Sequence, residues 1–189
     1  MLPWLAFANT LTRTSSVFVD KKGILSKVGL SLPMLPMFIV VAECVTFLIA
    51  MLLFIGFLLL AGFPLKAEIL ILPWVFLIQQ MFALGLGMIL AVLNVFLRDV
   101  REFVGILMQI WFWMTPIVWT PQIVSGELYA WLARINPMVT VLEAYHGMYL
   151  PGQTPDYLAL MPIAVLAVLC LAAGYLFVKR LEKDIRDFL

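Results

Sequence analysis

The sequence predicts an all-α integral membrane protein with four transmembrane helices, a short cytoplasmic helix and two short external helices that are re-entrant or interfacial. One observation is the composition, because 65% of the residues are hydrophobic and 12% are charged, whereas soluble domains are about half apolar and a quarter charged. The other is the presence of four long apolar runs that lack the period-two alternation of strands. Runs of this kind satisfy their backbone in lipid as helices.

The amino-terminal segment, residues 1–12, is predicted to be a stub. Its apolar run, Leu2–Ala8, is much shorter than the roughly 20 residues that a spanning helix needs. The segment also lacks the basic residues and the apolar length of a signal peptide. We interpret it as the end of a span whose beginning is missing. We therefore expect residues 1–189 to form a single, N-terminally incomplete transmembrane domain.

The four predicted spans are bounded by residues that interrupt helices or carry charge. Pro33 and Pro36 lie at the start of the first span, and Gly62 and Pro64 follow it. The third span is short but strongly apolar. The spans cover residues of about 35–62, 69–97, 103–119 and 157–178.

The basic residues predict the orientation, because cytoplasmic segments of membrane proteins carry an excess of lysine and arginine. Ten of the twelve basic residues fall in three segments of the chain, and only Lys66 and Arg134 fall in the other two. The basic segments are 9–32, 98–102 and the tail 179–189, and the others are 63–68 and 120–156. Both termini are therefore expected in the cytoplasm, with 63–68 and 120–156 outside.

The segment 15–29 is predicted to be a short amphipathic helix. Its apolar residues cluster on one helical face, although Lys21 falls within that face and Gly23 interrupts the run. Two interpretations stay open. The helix rests its basic residues on anionic lipid, or it docks a cytoplasmic partner.

The external segment 120–156 is too long and too apolar for an ordinary loop. Its first part has an apolar stripe at i, i+3, i+4 and i+7. Asn136 and Pro137 then predict an N-cap and a first helical turn, and a second stripe follows. The first stripe is Leu128, Trp131, Leu132 and Ile135, and the second is Met138, Val141, Leu142, Tyr145 and Tyr149.

The third span is rich in aromatic residues, among them Trp111, Phe112 and Trp113, with Gln109 beside them. An aromatic belt at the membrane interface is one explanation. Aromatic faces also stack on sugar rings, so a carbohydrate path is the other. Composition and spacing do not decide between the two.

Polar residues inside the spans are costly and usually face the interior of a helix bundle. Glu43 is the one acid well inside a span, and we expect it to be protonated or paired with Gln79, Gln80 or Asn94. An interhelical hydrogen bond is favoured over a proton-coupled role. The small residues Ala83, Gly87 and Ala91 form a row that permits close helix contact, within the chain or across a dimer.

Enzyme chemistry has weak support. The only histidine, His146, lies three residues after Glu143, a pair that more often makes an interfacial hydrogen bond. Cys44 and Cys170 are isolated, so neither a disulfide nor a metal site is indicated. The sequence has no GxxxxGK[ST] phosphate loop. The net charge of +1 gives no reason to expect a nucleic acid partner.

Several stretches of the sequence resemble one family of membrane proteins. They are NVFLRDVREF at 94–103, LMQIWFWMTPIVW at 107–119, LPWLAFAN at 2–9, NPM at 136–138 and the tail that ends in DIRDFL at 184–189. Together they resemble the ABC-2 type permeases that export polysaccharides such as O-antigen, capsule and teichoic acid. The first two stretches are fairly specific, and the resemblance extends over essentially the whole chain.

The resemblance implies a multi-pass subunit of the cytoplasmic (inner) membrane with six transmembrane helices, a homodimer, membrane lipid around it, and a lipid-linked polysaccharide as substrate. It implies that a separate ABC ATPase subunit uses ATP, so that this chain needs no cofactor. It also implies that 15–29 is the coupling helix and that the paired helices of 120–156 are external gate helices. The implied coupling residues are Lys21, Lys22, Ile24, Leu25 and Val28, and the implied substrate path contains Gln109, Trp111, Trp113 and Tyr145.

The sequence departs from the family at its front, where the amphipathic lead-in, the first span and most of the second are absent. Alternative functions are an ABC-2 exporter of drugs or other lipids, a membrane-bound glycan enzyme that uses Glu143 and His146, and a non-transporting fragment. The genes that adjoin the reading frame are expected to distinguish an exporter of drugs or other lipids from a polysaccharide exporter, because genes of sugar biosynthesis would favour the latter.

Overall fold

A computed structural model of the chain describes residues 1–25, 31–150 and 152–188. Over these ranges the regular structure is entirely helical, which confirms the all-α prediction for them. Short 3-10 helices at Ala67–Ile71 and Pro121–Ile123 accompany the α-helices. The α-helices are α1 (Leu2–Asp20), α2 (Lys22–Leu25), α3 (Met34–Leu60), α4 (Leu72–Phe96), α5 (Val100–Trp113), α6 (Gly126–Ile135), α7 (Pro137–Tyr149), α8 (Tyr157–Arg180) and α9 (Glu182–Phe188).

Three helices of the described ranges are long and apolar enough to cross a membrane. They are α3, the continuous helix Ala67–Phe96 that includes α4, and α8, with 27, 30 and 24 residues. They correspond to the predicted spans at about 35–62, 69–97 and 157–178. At 1.5 Å per residue each exceeds the roughly 30 Å thickness of the hydrocarbon core.

The predicted span 103–119 differs from the structure, where α5 has 14 residues and ends at Trp113. Pro116 explains the early end, because proline has no N–H and its ring disfavours a helical conformation in the residue before it. The Thr115 hydroxyl donates to the carbonyl of Trp111 at 2.7 Å and closes the last turn. At about 21 Å, α5 alone is shorter than the hydrocarbon core.

The helix α1 joins two segments that were predicted to be separate, the stub 1–12 and the first part of the helix at 15–29. No glycine or proline interrupts the chain after Pro3, so the helix continues to Asp20. Its buried stripe is Phe7, Leu11, Thr14 and Phe18, and it packs against α3, α4 and α5. The first part of the predicted cytoplasmic segment 9–32, up to Asp20, therefore belongs to a helix that packs within the bundle.

The helices α4 and α8 cross at a pair of glycines. A Cβ atom built on Gly85 would lie 2.4 Å from the carbonyl carbon of Cys170, and one on Gly174 would lie 2.5 Å from the carbonyl oxygen of Gly85. Both positions therefore need glycine for the two backbones to meet. The predicted row of small residues lies within the chain rather than in an interface, since Gly87 contacts the side chain of Thr14 in α1.

The helices α6 and α7 both begin at side-chain caps, of which the one at Asn136 was predicted. The Ser125 hydroxyl accepts from the Leu128 amide, and the Asn136 side chain accepts from the Met138 amide at 3.0 Å. Met138, Val141, Leu142 and Tyr145 of the α7 stripe are buried and Tyr149 is half-buried, whereas Leu128, Trp131 and Ile135 of α6 are exposed. The apolar face of α6 therefore has little cover from the described residues.

The helix α7 enters the bundle rather than lying across its end. Tyr145 makes an edge contact with Phe47 at a ring distance of 6.4 Å. Phe47 lies at the midpoint of α3, which is about 20 Å from either end of that helix. This depth favours the re-entrant interpretation of α7.

Two ends of the bundle can be distinguished by their side chains. The basic end contains Lys21, Arg101 and Arg180, together with α9, whose Phe188 contacts Phe96 of α4 at a ring distance of 5.0 Å. The opposite end contains α6, the C-terminal end of α7 and the loop around Lys66. We refer to them as the basic end and the opposite end.

Candidate functional site

Near the basic end, α1 and α3 are joined by an ion pair. The Arg13 Nη1 atom donates to the Glu43 Oε1 atom at 2.5 Å. Glu43 is only 4% exposed, while the Arg13 side chain is 54% exposed. The prediction that Glu43 pairs with Gln79, Gln80 or Asn94 is therefore wrong, because the helical course of α1 brings Arg13 to it.

A cavity of about 520 Å³ lies beside this ion pair, between α1 and α3. Arg101 closes one side and donates to Asp20 at 3.2 Å. Asp20 also accepts from the Ser16 hydroxyl at 2.6 Å. Among the charged residues that line this cavity, Arg101 and Asp20 are thus paired with each other, and Arg13 is paired with Glu43.

The predicted coupling residues are only partly available at the surface. Lys21 and Lys22 are exposed at the basic end, but Leu25 is buried in the bundle. Val28 and the side chain of Ile24 lie outside the described residues.

Polar side chains in the middle of the bundle bind α4 to α1. The Gln79 amide donates to the carbonyl of Pro3 at 2.7 Å, and Gln80 accepts from the Thr10 hydroxyl at 2.7 Å. Asn94 donates to the carbonyl of Ser15 at 3.1 Å. Each of these intramembrane groups therefore holds two helices together.

The aromatic residues of α5 face two different ways. Trp111 is half-buried, with its ring 5.2 Å from Phe7 in an edge contact, whereas Trp113 is 61% exposed. Gln109 is also exposed, and Tyr145 is only 2% exposed. The four residues predicted for a substrate path therefore do not converge on one surface. Gln109 and Trp113 lie on the outer face of α5, and Trp111 and Tyr145 pack inside.

Asn136 joins the end of α5 to α7. Its Oδ1 atom accepts from the Trp111 indole at 2.8 Å and from the Met138 amide at 3.0 Å. Its Nδ2 atom donates to the Thr115 hydroxyl at 2.9 Å and to the Met114 carbonyl. The amide is thus satisfied on both sides and fixes the junction of α6 and α7 against α5.

At the opposite end, Lys66 fastens two loops to each other. Its ammonium group donates to the carbonyls of Gly147, Leu150 and Gln153 at 3.2, 2.5 and 2.6 Å. The first two carbonyls lie at the C-terminal end of α7, where a positive charge also interacts favourably with the helix dipole. The turn after α3 and the turn before α8 are therefore held together.

A second cavity, of about 490 Å³, lies at the opposite end between the segment after α5 and the helices α6 and α7. The Tyr129 hydroxyl donates to the Glu143 carboxylate across it, and His146 lies one turn farther along α7. The Trp119 indole donates to the carbonyl of Trp113 at 3.0 Å. The polar and aromatic side chains that line this cavity are Trp119, Thr120, Gln122, Tyr129, Glu143, His146 and Gln153.

Protonation in this cavity follows from burial. Burial raises the pKa of the Tyr129 phenol, and its hydrogen bond to Glu143 raises it further. Burial lowers the pKa of His146 from its ordinary value, while the Glu143 charge acts in the opposite direction. At neutral pH the phenol is therefore protonated and the imidazole neutral, so that both can donate a hydrogen bond.

Sequence patterns did not identify several of the connecting residues. Arg13 was assigned to the cytoplasmic segment 9–32, and Lys66 was considered only for its charge. Their contacts join residues 30 and 84 positions apart, which no local pattern records. One signal was available for Lys66, because it is one of only two basic residues in the segments predicted to be external.

Comparison with known proteins gives a consistent result. The model of the family described as ABC-2 type transporter matches residues 1–150. The O-antigen export system permease protein RfbA of Myxococcus xanthus is 30% identical over 185 residues, which is 97% of this chain and 71% of that protein. Two proteins of the same name from Klebsiella pneumoniae are 26% and 25% identical over 153 residues, which is 80% of this chain and 59% of each of them.

Proposed function

Because this chain belongs to the ABC-2 type transporter family, we propose that it is the permease subunit of an ABC exporter that moves O-antigen or a related lipid-linked polysaccharide across the cytoplasmic membrane. The observation that carries the proposal is an alignment that covers 97% of the chain, at 30% identity, with an O-antigen export system permease protein. Three helices that are long and apolar enough to cross a membrane support it.

The proposed orientation has the basic end in the cytoplasm and the opposite end outside. The excess of lysine and arginine at the basic end supports it, because such residues are retained on the cytoplasmic side. With this orientation, α5 and the bends after it serve as a fourth crossing, and the C-terminal end of the described chain lies in the cytoplasm. Met1 instead lies toward the opposite end, where it lines a cavity with His146, Tyr149 and Leu150, so the prediction that both termini are cytoplasmic does not fit this fold. Single-cysteine labelling of a variant without Cys44 and Cys170 tests it, since a cysteine at Lys22 is then labelled only from the cytoplasm and one at Glu127 only from outside.

The proposed partner at the basic end is a separate ABC ATPase subunit, which hydrolyses ATP. The exposed lysines Lys21 and Lys22, at the end of α1, are the contact residues that the geometry supports. Exposed ion pairs contribute at most about 1 kcal/mol each. Charge reversal at both lysines is therefore expected to reduce co-purification of the ATPase by about tenfold. Charge reversal at Lys183, which is exposed on α9, is the matched control, and an equal loss there contradicts this contact.

The proposed substrate path uses the outer face of α5. Gln109 and Trp113 are exposed on that face, together with Ile106 and Ile110. In a homodimer, two such faces related by a two-fold axis enclose a path whose indole rings stack on sugars. Trp113→Ala is expected to reduce export with normal insertion, and Trp113→Phe to be milder. Trp131→Ala, at another exposed tryptophan, is the control.

The function itself is tested by deleting the whole reading frame in its host and restoring it. The deletion is expected to remove polysaccharide from the cell surface while lipid-linked polysaccharide accumulates inside. Normal surface polysaccharide with altered drug sensitivity would instead indicate an exporter of drugs or other lipids. Loss of a glycan-modifying activity in Glu143→Gln and His146→Gln would indicate an enzyme.

A further inference from the structure

We propose that the cavity between the segment after α5 and the helices α6 and α7 is a subsite that binds sugar units of the exported glycan. The proposal rests on the function proposed above and adds a binding site at the opposite end of the bundle. The cavity has a volume of about 490 Å³, within the range of about 300–1,000 Å³ that is usual for ligand pockets.

The cavity gathers hydrogen-bonding groups from separate parts of a mostly apolar chain. Gln122 comes from the short 3-10 helix, Tyr129 from α6, Glu143 and His146 from α7, and Gln153 from the turn before α8. Amides, a neutral imidazole and a phenol each donate and accept hydrogen bonds. A set of groups that does both suits a ligand with many hydroxyl groups.

The charge of the cavity argues against ions as ligands. Glu143 is the only charged side chain among the lining residues, and it repels a phosphate or another anion. One carboxylate is also too few for a calcium ion, which takes six to eight oxygen ligands. Tyr129 uses one acceptor site of the Glu143 carboxylate and fixes its orientation, while the remaining acceptor sites suit sugar hydroxyls.

One wall of the cavity is aromatic, which also suits a sugar ligand. Trp119 lines it beside Pro116 and Ile117, and an indole presents a large flat surface for the C–H face of a sugar ring. The Trp119 indole N–H is bonded to the carbonyl of Trp113, so the ring is already held in place. The same bond connects the cavity to the end of α5, whose outer face is the proposed substrate path. A glycan that leaves that path therefore meets this cavity next.

Photo-crosslinking tests the subsite. A benzophenone amino acid is placed at Gln122 in the permease assembled with its ATPase in membranes of the host, and glycan adducts are detected during ATP hydrolysis with a glycan-specific antibody. The matched control is the same amino acid at Ile123, which is the next residue, is 70% exposed and does not line the cavity. We expect an adduct at position 122 and little at 123.

A second pair of variants tests the polar groups themselves. Loss of hydrogen bonds to the ligand in the double variant Glu143→Ala and His146→Leu is expected to lower the adduct yield at position 122 by about tenfold. The amount of permease that co-purifies with the ATPase serves as the measure of folding. An undiminished yield in a folded double variant overturns the proposal.

The outcomes separate the subsite from the proposed function. Equal adducts at 122 and 123, or none at 122 while polysaccharide reaches the surface normally, overturn the subsite and leave the export function standing. Normal surface polysaccharide after deletion of this reading frame overturns both.

Discussion

The crossing of α4 and α8 at Gly85 can be tested with a single methyl group. In Gly85→Ala the new Cβ atom would lie 2.4 Å from the carbonyl carbon of Cys170 and 2.4 Å from the amide nitrogen of Leu171. Carbon atoms in contact lie at about 3.5–4.0 Å, so the two backbones must separate by about 1 Å. Both neighbours are backbone atoms, and no rotation of a side chain relieves the contact.

The magnitude follows from the contacts that this separation weakens. A gap of about 0.5–1 Å forfeits a quarter to a half of each van der Waals contact that it opens. Helix association in lipid depends mainly on such contacts, and overpacking of a core costs about 1–3 kcal/mol. We therefore expect Gly85→Ala to lower the free energy of unfolding by about 2–3 kcal/mol.

The assay is unfolding of the detergent-purified chain by SDS, followed by tryptophan fluorescence. Gly56→Ala is the matched control, because a Cβ atom at Gly56 in α3 would meet nothing within 4 Å. That variant is expected to be neutral, or more stable by up to about 1 kcal/mol through helix propensity. Equal unfolding midpoints for the two variants would refute the close crossing.

Four further substitutions test contacts elsewhere in the bundle. Lys66→Met is expected to lower the free energy of unfolding by about 1 kcal/mol, and unchanged proteolysis of the turn before α8 would contradict the role of Lys66. Arg13→Gln is expected to destabilise the chain more than Glu43→Gln, because it leaves a buried carboxylate without its partner; SDS unfolding measures both, and the reverse order would contradict the ion pair. His146 binds fewer protons when folded, so its contribution to stability is constant above its unfolded pKa of about 6.5 and declines below it. The melting temperature of His146→Gln is therefore expected to decline less than that of the unmodified chain between pH 7.5 and pH 5. Parallel pH profiles for the two proteins would exclude this contribution of His146.

The parts of the fold that depend on local signals could be predicted from the sequence. Asn136 and Pro137 predicted the start of α7, because a cap and the first helical turn involve adjacent residues. The buried stripe of α7 followed from helical periodicity in the same way. The three long apolar helices needed only length and composition.

The course of α1 could not be predicted in this way. Arg13 lies in the mostly polar stretch 9–16, and only its contact with Glu43, 30 residues later, shows why this stretch belongs to a helix of the bundle. The segment 15–29 was predicted to be a separate helix because its apolar residues cluster on one helical face. Its first residues instead continue α1, since the contacts with α4 outweigh local preference.

The aromatic residues of α5 illustrate a signal that was present but not used. Successive residues on a helix are 100° apart, so Trp111 and Trp113 point in nearly opposite directions. One packs inside, and the other is exposed. The end of α5 at Trp113 could likewise have been inferred from Pro116, but the apolar run continued past it.

The hydrogen bonds between α1 and α4 have a consequence for biosynthesis. Thr10 and Gln80 are 70 residues apart in the chain, and Ser15 and Asn94 are 79 apart. At about 5–20 residues per second, the ribosome makes the partners in α4 roughly 4–16 seconds after the groups in α1. An unsatisfied polar group in lipid costs several kcal/mol, so we expect α1 to stay in contact with water or with the insertion machinery during this interval. We expect it to enter the lipid together with the later helix that satisfies its polar groups.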